Sequence, residues 1–317
     1  MHLNLHLLRV FHTVVLEGSF SAAARRLHVS QPAVSKGITE LERQLDIVLL
    51  ERARKPSQGL SLTDAGEALQ AHARAIFGLE RAAVNELQQR SGLKRGQLVI
   101  GASTTVASYW LPHYLQAFAR QWPEIVLRVV VANTQSITDD LFDCLLDLAL
   151  VEGPVDRKGI ASLPWRHERL VVVGPPGFVP ASNPALQRSG SPHGQGSAQR
   201  TIGMSPDELT SCTWLVREPG SGTREVTFEL LVRHGMNLRR SIEVGSNEGI
   251  ARAVASGLGV AMLPFAVVED LLLLGRVVEI DVPGMTGLSR PLFRLERLDR
   301  PASPAVQAFL DIVERHE

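Results

Sequence analysis

Three short apolar-periodic segments, each bounded by a capping or turn residue, occupy residues 5–45 and leave the N-terminus few ways to fold. Leu7, Leu8, Phe11, Val14 and Val15 fall on one face of a helix over 5–17. Gly18 ends that helix, and Ser19 can cap a second, Phe20–Leu27, whose Ala22, Ala23 and Ala24 allow close packing. His28-Val29 form a turn. Ser30 then caps a third helix, with Pro32 tolerated in its first turn because an N–H there would lack a partner. Val34, Ile38, Leu41 and Leu45 recur at helical spacing as the buried stripe, so Gln31, Ser35, Lys36 and Thr39 point away from it or along its flank.

Three short helices with a tight turn before the third make a helix-turn-helix, in which the third helix enters a DNA major groove N-terminus first. Residues 49–62, LLERARKPSQGLSL, have the basic residues, Pro, Gly and alternating Leu60/Leu62 of a β-hairpin wing. From Thr63 to about Gly92 a longer helical pattern runs, with Leu69, His72, Ile76, Leu79 and Ala83 at the spacing of a coiled-coil seam. A helix of that length beside a small DNA module predicts a linker through which the chain forms a homodimer.

Charge is uneven. The whole chain is formally neutral, yet residues 1–60 hold eight Lys/Arg against five Asp/Glu, a net +3 facing −3 in the remainder. A basic head suits a phosphate backbone. Cys144 and Cys212 form neither a disulfide framework nor a metal spacing. The N-terminal MHLNLHLLRVF reads as an amphipathic helix and not as a signal peptide, and LLLL at 271–274 is too short to span a bilayer. A cytoplasmic protein with no membrane partner is expected.

Beyond Gly92–Gly96, a candidate hinge, strand-like runs at 97–103, 126–133, 146–153, 169–176, 213–218, 241–246, 259–264 and 277–282 alternate with helical segments. The helices fall near 105–120, 135–145, 223–234, 247–256 and 302–315. Such alternation predicts α/β architecture with largely parallel sheets, and the length suits two lobes, about 95–165 plus 268–317 and 166–267. Residues 181–207, rich in Ser, Gly, Pro and Gln, are expected to be a mobile surface loop.

The run FHTVVLEGSFSAAARRLHVSQPAVSKGITELERQL followed by LTDAGEAL resembles the DNA-binding domain of LysR-type transcriptional regulators. STTVASYWLP, ALVEGPV, REPGSGTR and SNEGIARAVASGLGVAMLP extend the resemblance in order along nearly the whole chain, with only 181–207 extra. Two departures are Leu50 before Glu51-Arg52, where the family usually has Phe, and a slightly longer wing. REPGSGTRE with ALVEGPV is similar to the branch that includes regulators of carbon-fixation and sulfur-assimilation genes. The resemblance implies a winged helix-turn-helix (1–62), a linker and dimerisation helix (63–92) and a two-lobed effector domain like periplasmic binding proteins (95–317). It also implies a dimer of dimers, with double-stranded DNA, a small-molecule effector and RNA polymerase as candidate partners.

Ser30, Gln31, Pro32, Ala33, Ser35, Lys36 and Thr39 are the candidate DNA contacts on the third helix, with Arg52 and Arg54 on the wing. Gln31 suits a bidentate contact to adenine, Ser35 and Thr39 can donate to phosphates or bases, and Pro32 and Ala33 can pack on a thymine methyl. Lys36, Arg52 and Arg54 suit phosphates. The effector candidates lie on loops that follow strands: Ser103 and Thr104, Thr134, Glu152, then Ser221, Gly222, Thr223 and Arg224, and Asn247. Hydroxyls at helix N-termini and Arg224 predict an anionic effector, against the plain alternative that Ser, Thr and Asn merely cap helices. No cofactor or metal is expected. The histidines are scattered and form no HExxH or nucleophile motif, and GSGTR lacks the P-loop Lys-Ser/Thr, so an enzyme is not expected. A solute-binding protein without DNA function is the alternative, opposed by the attached helix-turn-helix.

Overall fold

The computed structural model describes residues 2–51, 60–89, 96–153, 155–178, 201–285 and 287–315. By contact density the chain divides into two compact units, Met1–Asn85 with Asp143–Leu145, and Glu86–Phe142 with Leu146–Glu317.

In the first unit, α1 (Leu5–Glu17), α2 (Phe20–Leu27) and α3 (Gln31–Leu45) form where the caps predict them. The Asn4 side chain accepts from His6 and Leu7 N–H, Ser19 from Ala22, and Ser30 from Ala33. Each helix ends in a left-handed residue: Gly18 at φ 66°, His28 at 56° and Asp46 at 54°. The apolar stripes meet in one core of Leu8, Phe11, Val14, Ala23, Val34 and Leu41, all fully buried. Gly37 lets α1 approach α3, since a Cβ there would sit 3.3 Å from Val10. An antiparallel bridge between Leu50 and Leu62, with Glu51 N–H donating to Ser61 O at 3.0 Å, forms the base of the expected hairpin. Its tip, with Arg52, Arg54 and Lys55, lies outside the described residues, as do residues 92–95 of the expected hinge. Then α4 (Asp64–Gln89) runs for 26 residues, about 39 Å at 1.5 Å per residue.

The second unit carries an eight-stranded array. Parallel strands β1 (Gly96–Ala102), β2 (Ile125–Val131) and β3 (Leu148–Glu152) build the first lobe. A π-helical turn (Val106–Trp110), α5 (Leu111–Gln121), α6 (Thr134–Phe142) and α11 (Pro304–Arg315) accompany them. The π turn falls where Pro112, lacking an N–H, cannot continue the α-helical ladder. Two long strands, β4 (Ile160–Gly174) and β10 (Ser289–Arg297), run antiparallel along each other and through both lobes. Leu292 pairs Arg166 and Phe293 pairs Pro164, leaving Trp165 as a bulge.

In the second lobe β4 pairs antiparallel with β8 (Ala261–Pro264) and β9 (Val278–Asp281), and β9 pairs parallel with β5 (Thr201–Gly203). A parallel pair, β6 (Thr213–Val216) and β7 (Arg240–Glu243), lies with α8 (Gly222–Arg233), α9 (Asn247–Ala255) and α10 (Phe265–Leu273).

Three expectations are corrected. The sheets are mixed, because β4 leaves the first lobe and β10 returns to it in the opposite direction; hydrophobic alternation carries no strand polarity. The return falls at β10 and not near residue 268, since Val268, Leu271, Ile280 and Val282 pack in the cores of the second lobe. The segment expected as a loop over 181–207 includes β5 and the start of α7 (Pro206–Thr210), set by a capping box between Ser205 and Glu208. Residues 181–200 lie outside the described residues. Among those described, no helix is long and apolar enough to cross a membrane.

Candidate DNA-reading face and effector site

Burial of Val34, Ile38 and Leu41 turns the opposite side of α3 outward, so Gln31, Pro32, Ala33, Ser35, Lys36 and Thr39 are all exposed. Gln31, Pro32, Ser35, Lys36 and Thr39 line one shallow depression, bounded by Glu40. Thr39 spends its hydroxyl proton on Ser35 O at 3.1 Å and faces outward as an acceptor, while Ser30 is occupied as the cap. Glu40 closes the face toward its C-terminal end. Its hydrogen bonds from Arg43 and Gln44 hold its carboxyl down to about 2, so it stays ionised, and its ion pair with Arg43 occupies that end of the face. The N-terminal half of α3 is therefore the half suited to approach a base edge.

The predicted effector residues of the second unit divide into two groups. Thr223 and Asn247 join one polar network with Thr105, Glu152 lies beside it, and Thr104, the neighbour of Thr105 in sequence, is bonded to Arg217. Asn247 is fully buried and donates from Nδ2 to Thr105 Oγ1 at 2.8 Å and to Thr223 Oγ1 at 3.3 Å. Ser246, not Asn247, caps α9, which frees Asn247 for this bridge. Thr223 in turn accepts from Arg290 Nη1 at 2.8 Å. Arg290, 1% exposed, donates from Nε and Nη2 to Glu168 Oε2 at 2.8 and 2.6 Å and approaches Glu152 Oε1 at 3.5 Å. Trp110 Nε1 donates to the other Glu168 oxygen at 2.9 Å. Near the network's edge, Arg217 donates to Thr104 Oγ1 at 3.1 Å and is held by both oxygens of Glu218 at 2.8 Å.

The second group lies where the lobes meet. Gln135 N–H donates to Gly220 O across the lobes at 3.2 Å, and within the first lobe Thr134 Oγ1 donates to Glu152 O at 3.2 Å. Gly222 lies so close to β3 that a Cβ there would sit 2.1 Å from Glu152 O. This position, an effector candidate in the sequence, is therefore a close contact between the lobes. A cavity of about 300 Å³ opens beside this contact, lined by Thr134, Gln135, Arg157, Gly220 and Glu225. Ser221 precedes α8 without a side-chain cap bond, and Ser103 is buried with its hydroxyl unpartnered.

Arg224 is where geometry departs from the sequence reading. Its guanidinium donates to Arg217 O at 2.5 Å, pairs with Glu243 at 3.5 Å and stacks over Phe228. The cation that meets Thr104 is Arg217. Sequence reasoning also missed Glu168 and Arg290, which lie on the long strands and carry no motif. Arg290 follows a Gly-Met-Thr-Gly turn and precedes Pro291, a context that reads as loop.

These two units define a class: a DNA-reading helix-turn-helix on one chain with a two-lobed binding domain. The model for the bacterial regulatory helix-turn-helix protein, lysR family, matches residues 5–67, and that for the LysR substrate binding domain matches residues 91–317. The uncharacterized HTH-type transcriptional regulator YeiE of Escherichia coli K12 is 33% identical, covering 98% of this chain and 97% of that protein. The RuBisCO operon transcriptional regulator of Allochromatium vinosum is 31% identical over 99% and 96%. Among solved structures, full-length CbnR complexed with its target DNA matches at a TM-score of 0.67 and 21% identity, covering 99% of this chain and all of that one. The chain belongs to the LysR family of DNA-binding transcriptional regulators, and its second unit is the family's effector-binding domain.

Proposed function

We propose that this regulator reads DNA as a dimer through α4 and is switched by a small acidic metabolite held between the lobes of its second unit. The observation that carries the switch is the chain of hydrogen bonds Thr105–Asn247–Thr223–Arg290, which draws residues from both lobes into one buried polar site. A ligand that completes this site in one lobe arrangement better than in another shifts the balance between them, by no more than that difference in affinity. Thr104 with Arg217 supports an acidic group on the ligand, because a guanidinium and a hydroxyl together recognise carboxylate or phosphate oxygens.

For the dimer, α4 buries Ala73 and Phe77 against its own unit but exposes Leu79, Val84 and Leu87. Of the seam read from the sequence, Leu69 and Ile76 pack partly on the helix-turn-helix core, while His72, Leu79 and Ala83 face outward. Two-fold pairing matches half-sites about 34–36 Å apart on DNA. A dimer of dimers, contact with RNA polymerase and a cytoplasmic location belong to the same reading. Its work is binding and switching and not catalysis, in keeping with a family of regulators.

The test is calorimetric titration of the full chain with small carboxylic and phosphoric acids. A saturable ligand is expected, weakened at least tenfold by Thr104→Val and spared by Arg224→Ala. Equal loss in both variants would return the role to Arg224, and no saturable acid at all would end the acidic-effector reading.

A further inference from the structure

The effector site is short of hydrogen-bond donors at its most buried atoms. Glu152 Oε1, Asn247 Oδ1 and Ser103 Oγ are each buried and without a hydrogen-bond partner. Glu152 and Ser103 are 2% exposed and Asn247 is fully buried. The neighbouring donors are already committed. Asn247 places its amide nitrogen on Thr105 and Thr223. Arg290 places Nε and Nη2 on Glu168 and Nη1 on Thr223, and its 3.5 Å approach to Glu152 is too long for a hydrogen bond. Asn247 Oδ1 and an ionised carboxylate oxygen can only accept, and a serine hydroxyl can accept as well as donate. Buried acceptors left bare cost free energy, so a site built this way is completed by something that brings protons to it.

Charge points the same way. Two carboxylates, Glu152 and Glu168, share the single guanidinium of Arg290, which leaves this end of the site formally negative. An acidic group pushed in here would meet repulsion in a medium of low dielectric. At the other end Arg217 is balanced by Glu218 alone, and the remaining guanidinium N–H groups and the Thr104 hydroxyl can donate to an acidic group.

Resting on the reading that a small acid binds between the lobes, we infer that the effector carries a hydrogen-bond-donating head, a hydroxyl or an ammonium, directed at Glu152, Asn247 and Ser103. Its acidic group faces Thr104 and Arg217. The ligand class is thus a small hydroxy acid or amino acid, and the site selects it against the corresponding unsubstituted acid.

Matched probes isolate the head group. The full chain is titrated with lactate, alanine and propionate, and with the four-carbon diacids malate, aspartate and succinate, following heat and thermal midpoint. At least one hydroxylated or aminated acid is expected to bind tenfold or more tightly than its unsubstituted partner. Lactate and malate against alanine and aspartate separate hydroxyl from ammonium. Glu152→Gln, which keeps the shape but turns part of the acceptor into a donor, should shrink the preference to threefold or less. Ser103→Ala, a smaller change, should reduce it in the same direction if the first variant folds poorly. Propionate or succinate binding as tightly as its substituted partners overturns the inference while leaving the acidic-effector reading standing. Absence of saturable binding by all six overturns both.

Discussion

Replacing Arg290 by Met removes the one cation from a site that keeps two carboxylates. Arg290 is fully surrounded and makes its contacts at 2.6–2.8 Å to Glu168 and Thr223, with Glu152 at 3.5 Å. Breaking a buried pair by removing one partner costs about 3–5 kcal/mol, because the charge left behind is uncompensated. At roughly 2–4 °C per kcal/mol for a domain of this size, the thermal midpoint of the effector-binding domain falls by about 6–20 °C. Scanning calorimetry of the full chain reads this directly, with the helix-turn-helix unit as an internal control. The cause is isolated by the triple variant Arg290→Met, Glu152→Gln, Glu168→Gln. With no stranded charge it should recover at least half of the loss, since neutral replacement of a whole buried cluster is often close to neutral in stability. Glu168→Gln keeps a carbonyl oxygen for Trp110 Nε1. A midpoint lowered by less than about 2 °C in Arg290→Met, or a triple variant no better than the single one, would refute the reasoning.

Two further outcomes follow from the geometry. Burial holds the His12 imidazole below its ordinary 6.5, helped by Arg81, Arg74 and Arg9 and opposed by its hydrogen bond with Gln70. The unfolded chain therefore takes up the proton first, so the first unit is at full stability above pH 6.5 and loses it as pH falls from there through the folded-state value. Urea titrations between pH 5 and 8 should show that slope, and His12→Gln should flatten it; an unchanged slope in the variant assigns the effect elsewhere. Gly222→Ala puts a methyl where Glu152 O already lies, 2.1 Å away, so it should part the lobes at that point and weaken effector binding at least tenfold. Unaltered titration curves would show that the contact is not needed for binding.

The three helices of the helix-turn-helix were legible because their signals are local, whereas the seam read along α4 was not, since Leu69 and Ile76 pack on the helix-turn-helix core. Capping serines, a helix-ending glycine and a three-to-four apolar period each act within a few residues, and Ser19, Ser30, Gly18 and the Val34–Leu41 stripe all do what their spacing predicts. The lobes were legible as elements and less so as topology. The apolar runs show that β3 and β4 are strands, but strand direction is set by the path of the chain between lobes, which no window of residues records. Strand β10 escaped notice because its Arg and Pro residues break the alternation, and Arg290 is buried only because Glu152 and Glu168 arrive from other strands. For the same reason the cation that meets Thr104 was not the one the sequence pointed to. Arg224 follows a glycine-rich turn that advertises a ligand loop, yet its guanidinium lies against Glu243 and Phe228, while Arg217, at the start of the same REPGSGTR run, meets Thr104. Helix α10 was not read from the sequence: Val267, Val268, Leu271 and Leu272 form its buried stripe, but Leu273 and Leu274 are apolar and 73% exposed, which blurs that period.

The account stands on α3 reading sequence from its exposed N-terminal face. Selection of bound fragments from the sheared genome of the source organism, at fixed salt, tests it most directly when wild type and Gln31→Ala are run side by side. The expected result is a recurring motif with two-fold symmetry, half-sites about 34–36 Å apart, that the variant no longer enriches while remaining folded and the same size in solution. A motif enriched equally by both proteins, or none enriched by the wild type, would contradict it.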